Sequence, residues 1–333
     1  MPTSNSQSGQ TFRRNVAPFA PLALALLMNA VPNSSSTSTG NQSGGDENEI
    51  VAARCVAHIT DFQACHDNYP TGCSKAAGYD AYLNYLKNLT PSPASGGITF
   101  LDQPAFENLN ASTPPALGQT NNHATFEDQL NELGEGQQRG VIGYLYYYEK
   151  TNAESSNCEL TGPAPGYGNV DFHIGVGFDP NLANQVNRST PSQPSLQLQQ
   201  NSVIVEMTPH YRARFQEGVW TLANLKPALG HKVKVVGQLL VDSEHNTPAD
   251  NCALDGTPQQ IAQTKCWRYS VWELHPVTSF AYCQDDSCTQ DSGDWIPIGG
   301  NSAGSDGGSG SGENPGEGGK THKPHPTHSG EPR

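Results

Sequence analysis

Apolar and polar positions alternate over five stretches in the centre of the chain, and alternation of period two predicts β-strands. They are 140–150 (GVIGYLYYYEK), 170–178 (VDFHIGVGF), 202–208 (SVIVEMT), 232–242 (KVKVVGQLLVD) and 270–282 (SVWELHPVTSFAY). Between the third and fourth, residues 211–229 carry Trp220, Leu222 and Leu225 as core contacts of a short helix. Three strands, one helix and two strands is the order of a mainly β, five-stranded OB-fold-like barrel, placed at 138–284. Gly143 and Gly237 fall inside strands, where glycine marks a bend or a bulge. Residues 51–90 read as a small Cys-bearing helical lead-in, because Tyr79, Tyr82, Leu83, Leu86 and Leu89 recur at helical spacing. Residues 91–137 form a connection with a short helix within 101–109, and residues 285–298 form a short extension.

The ends lack such patterning. Arg13 and Arg14 precede an apolar run over 16–31, which together read as an export signal over 1–31. Residues 32–50 are a Ser/Gly/Asn linker and 299–333 a Gly/Ser/Pro-rich tail; neither has enough apolar surface to offset the entropy of ordering, so both are expected to be disordered. These ends explain a hydrophobic content of 35%, with 34 Gly and 25 Pro in 333 residues. The net charge of −14, from 18 Lys+Arg against 32 Asp+Glu, argues against nucleic acid as the partner. No run of about 18 apolar residues exists, so no transmembrane span is expected. Export makes disulfides the default for the 8 Cys. Locality pairs Cys252 with Cys266 and Cys283 with Cys288; the other pairings stay open. No Cys-x2-Cys pair suggests a thiolate metal site.

The segments GEGQQRGVIGYLYYYEK (134–150), SSNCEL (155–160), NVDFHIGVG (169–177), SVIVEMTP (202–209), VKVVGQLLVDSEH (233–245) and SVWELHPVTSFAYC (270–283), with YPTGCS (69–74) and YLNYLKN (82–88) upstream, carry a resemblance. Over roughly residues 65–284 the chain resembles a group of exported bacterial proteins with OB-like barrels. The resemblance implies the fold and an exported setting, and it implies no activity.

Two sets of residues are candidates for function. On the second, third and fifth strands His173, Glu206, Glu273 and His275 fall on the faces opposite the apolar ones, and barrel topology brings those strands together. Two His and two carboxylates are a zinc-type ligand set able to polarise a water. The structural reading, in which the four pair with one another, is favoured, because they come from separate strands and no compact H-E-x-x-H motif is present. Asp242 and His245 are read as a structural turn after the fourth strand. On the first strand Tyr144, Tyr146 and Tyr148 alternate onto one face, which either stacks sugar rings or packs under the Cys-bearing lead-in. His322, His325 and His328 in the tail are spaced for weak metal binding but are taken as solvated. The expectation is an exported, non-enzymatic binding or scaffolding protein without cofactor, its partner a glycan or an envelope protein. The alternative is a metal-dependent hydrolase with zinc at the His/Glu set.

Overall fold

The computed structural model describes residues 50–76, 78–163, 166–188, 194–254 and 265–300. The segment read as an export signal, most of the one read as a linker, and the residues beyond 300 with their three histidines lie outside the described residues.

Seven strands form one sheet: β1 (Thr99–Leu101), β2 (Gln138–Lys150), β3 (Phe172–Gly177), β4 (Ser202–Met207), β5 (Lys232–Val241), β6 (Trp272–Cys283) and β7 (Ile296–Pro297). The neighbours run β2–β3–β4–β6–β5, and β5 pairs back onto β2, so five strands close into a barrel. β4 and β6 run parallel and the other barrel pairs antiparallel, the OB arrangement. The expected fold class is therefore observed. β1 lies parallel to β2, and β7 pairs with β6.

Alternation along each strand fills the barrel. Val141 and Leu145 of β2, Phe172, Ile174 and Val176 of β3, Val203, Val205 and Met207 of β4, Val233 and Val235 of β5, and Trp272 and Leu274 of β6 share one buried cluster. Gly237 sits where the β5–β6 register shifts, and a Cβ there would stand 2.8 Å from the Pro276 carbonyl oxygen. That close approach is why glycine occupies the position.

Among the described residues eight short helices connect and cover the strands: α1 (Phe62–Asn68), α2 (Ala81–Lys87), α3 (Gln103–Ser112), α4 (Glu127–Leu133), α5 (Pro180–Ala183), α6 (Leu196–Gln200), α7 (Pro209–Phe215) and α8 (Leu222–Leu225). Most begin at a side-chain cap: Asp61, Asp80, Asp102, Asp179, Ser195, Thr208 and Thr221 each accept a hydrogen bond from the first turn. The segment between β4 and β5 holds two helices where one was expected, because a turn with Gly218 at φ +70 separates them. The connection over 91–137 adds β1 and α4 to its one expected helix.

The lead-in folds against the barrel. Leu83 and Leu86 of α2 pack on Leu240 of β5. Tyr79 lies before the helix and donates its hydroxyl to the Gly72 carbonyl at 2.8 Å. All eight cysteines are paired, as Cys55–Cys73, Cys65–Cys158, Cys252–Cys266 and Cys283–Cys288. Both expected pairs are present, and Cys65–Cys158 ties the lead-in to the β2–β3 loop. Four disulfides fit a protein that folds in an oxidising compartment. No helix among the described residues is long and apolar enough to cross a membrane.

Candidate functional site

The outer face of the barrel carries a chain of buried charges. His173 and Glu206 are direct cross-strand partners on β3 and β4, and Val205 of β4 pairs with Leu274 of β6, which brings Glu273 and His275 alongside. His173 Nε2 lies 2.7 Å from Glu206 Oε1, and His275 Nδ1 lies 3.1 Å from Glu206 Oε2 and 3.2 Å from Glu273 Oε1. The four residues picked from strand alternation do converge. Arg268 Nη1 then bridges Glu273 Oε2 at 3.2 Å and Asp242 Oδ2 at 3.3 Å. The same Asp242 oxygen accepts from His245 Nδ1 at 2.8 Å and Lys87 Nζ at 3.3 Å.

Burial makes these pairings matter, because a buried charge is tolerated only with partners. Burial works against a charged His173 ring, yet the Glu206 carboxylate outweighs it and raises the His173 pKa to about 9. His275 is raised well above the ordinary histidine value for the same reason, with Glu273 adding to Glu206. Against their own desolvation, Glu206 is held well below the usual carboxylate range by His173 and His275, and Asp242 by His245, Lys87 and Arg268. Asp171 differs: desolvation, then the charges of Glu154 and Glu206, push it up to about 8, and Asn157 donates to its Oδ2 at 3.1 Å.

Above this network opens a cleft of about 800 Å³. His173, 18% exposed, and His245, 32% exposed, connect the two. Both rings flank Trp267, His173 nearly parallel to it at 6.4 Å and His245 edge-on at 5.2 Å between centroids. Trp267 is itself fixed by an indole N–H bond to Asp250 at 2.8 Å. Asn84, Thr151, Asn152, Ser155, Ser156 and Gln199 line the walls with amides and hydroxyls; Glu149, Glu154 and Glu244 add carboxylates. The cleft thus lies between the β2–β3 loop and the β5–β6 loop, where OB barrels take their ligands.

The tyrosine row is not a continuous face. The β2–β3 register shifts between Leu145 and Tyr147, so a bulge puts Tyr146 and Tyr147 together on the outer face and turns Tyr148 towards the core. Tyr146 and Tyr147 lie across the glycines Gly177 and Gly175 of β3, under Leu182 and Ala183 of α5. Tyr144 is partly buried beside them, and Tyr148 borders the cleft. Asp242 and His245 do tie a turn, with the His245 N–H donating to the Asp242 carbonyl, and they also belong to the network.

Lys87, Arg268 and Trp267 escaped the sequence reading. Each sits in the lead-in or in a loop, away from the strand pattern. The available signal was arithmetic: several carboxylates on outward faces of neighbouring strands require cations, and the flanking segments supply them. Arg212 of α7 is buried over the Phe172 ring and donates to the Val170 carbonyl at 2.6 Å.

No family model matches the chain, and neither the curated proteins nor the solved structures contain a match to it.

Proposed function

We propose that the chain is an exported carbohydrate-binding protein that holds a neutral glycan in the cleft between the β2–β3 and β5–β6 loops. The observation that carries this is the lining: one half-exposed tryptophan beside a wall of amides and hydroxyls. Trp267, with the Arg268 guanidinium 4.4 Å from its ring centroid, offers its remaining apolar surface to the C–H face of a sugar ring, and Asn152, Gln199 and Ser155, the last held by Asn84, offer donors and acceptors to its hydroxyls. Glu149, Glu154 and Glu244 at the rim repel phosphates and other anions. The four disulfides support the exported setting. Of the two partners expected from the sequence, a glycan and an envelope protein, this reading takes the glycan and moves its site from the tyrosine row to the cleft. Hydrolysis at the same place would require a divalent ion among His173, Glu206, Glu273 and His275.

The test is calorimetry and tryptophan fluorescence with a panel of neutral and anionic oligosaccharides. Saturable binding of a neutral member, weakened at least tenfold in Trp267→Ala and unchanged in Tyr144→Ala, is the expected result. A panel that leaves the fluorescence untouched, or a Trp267→Ala variant that binds as the parent does, overturns the reading.

A further inference from the structure

Glu206 is buried to 1% exposure, and its two carboxylate oxygens are met by the His173 and His275 rings. His173 Nε2 stands 2.7 Å from Oε1 and His275 Nδ1 3.1 Å from Oε2. Donor atoms of Glu206, Glu273 and His275 all lie within 4.8 Å of one another. In a tetrahedral site with bonds of roughly 2.0–2.2 Å, adjacent ligand atoms stand about 3.4 Å apart. The contacts of His275 Nδ1 with Glu206 and Glu273, at 3.1 and 3.2 Å, are already at about that spacing.

From this arrangement we propose that Glu206, Glu273 and His275, with His173 as the fourth ligand on the cleft side, form a divalent-cation site that takes zinc. The site lies beneath the cleft and does not depend on what the cleft holds.

Three further features fit. Arg268 occupies Glu273 Oε2 and is anchored in turn on Asp242, so Glu273 is oriented with Oε1 towards His275. Outer partners that aim a carboxylate in this way are the usual support of a metal ligand. The donor set has two imidazole nitrogens, two carboxylates and no thiolate, which suits zinc better than magnesium or calcium with their all-oxygen shells. Charge also balances: the two carboxylates offset one divalent ion in the buried cluster. The other acid and thiol group, Cys283, Asp285 and Cys288, is not comparable, since Cys283 and Cys288 form a disulfide.

The test uses the full chain with His322, His325 and His328 changed to Asn, so that retained metal reports the barrel. The protein is loaded with zinc, desalted, and its metal counted by mass spectrometry; a cobalt-loaded sample is read by visible absorption. One zinc per chain and the d–d bands of tetrahedral cobalt are expected. Glu206→Gln with His275→Gln should lose both. His173→Gln, at the more exposed end of the cluster, keeps the fold if the double variant does not and should weaken retention at least tenfold. Absence of zinc from the parent overturns the proposal, as does equal retention in a folded variant.

Discussion

Lys87 Nζ of α2 lies 3.3 Å from Asp242 Oδ2 at the end of β5, at a sequence separation of 155 and with both side chains buried. Attraction to Asp242, Glu273, Glu154 and Glu206 keeps Lys87 charged despite a desolvation that opposes it. The contact fastens the lead-in to the charge network under the cleft. Removing one member of a buried pair leaves its partner short of compensation, at a cost of roughly 3–5 kcal/mol. Because Arg268 and His245 remain on Asp242, Lys87→Met is expected at the low end, about 3 kcal/mol, in urea unfolding. A loss below the noise of the measurement would mean that the lead-in docks through its leucines alone.

The disulfides should differ in weight. Cys65–Cys158 closes a separation of 93 residues and Cys283–Cys288 one of 5. On loop-closure entropy the first contributes about 4.7 kcal/mol and the second about 2.2 kcal/mol. Paired Cys→Ala variants should therefore rank in that order by chemical denaturation. The reverse order would show that residual structure in the unfolded chain, and not loop length, governs the effect.

Gly175 and Tyr147 face each other on neighbouring strands, and a Cβ on Gly175 would overlap the Tyr147 ring. Gly175→Ala is expected to cost about 1–3 kcal/mol by overpacking. Tyr147→Leu should recover part of that loss in the double variant, since the two positions share one contact. Additive losses in a double-mutant cycle would show that the ring is not the obstacle.

His210 is 4% exposed, packed edge-on against Phe62 at 4.2 Å and near His66 at 4.9 Å. Burial, with the charges of His66 and His275, lowers its pKa to about 3. The unfolded value is about 6.5. Above pH 6.5 both states are neutral and stability is complete. As pH falls from 6.5 towards 3, only the unfolded chain takes the proton, and stability declines by up to about 1.4 kcal/mol per pH unit. Melting temperatures between pH 7 and 4 should fall less steeply in His210→Phe. Parallel curves for the two proteins would assign acid sensitivity to other groups.

Period-two alternation was strong enough to reveal every barrel strand, because each strand has one face in a closed apolar core and a misplaced register would expose it. The outward faces were legible for the same reason, and with them His173, Glu206, Glu273 and His275. The tyrosine row misled because alternation assumes an unbroken pleat, and the bulge between Leu145 and Tyr147 adds one residue to one strand. Glycines at 175 and 177 made room for the displaced rings, a relation visible only once β2 and β3 are paired.

Sequence alone determined the OB-like order of elements, two of the four disulfides and the acidic balance, since these depend on local spacing and composition. Only the tertiary structure decided that α2 delivers Lys87 and the β5–β6 loop delivers Trp267 and Arg268 to the face carrying His173. Such residues carry no periodic signal. What selects them is the cost of leaving carboxylates buried without cations, and that cost exists only after the chain has closed around them.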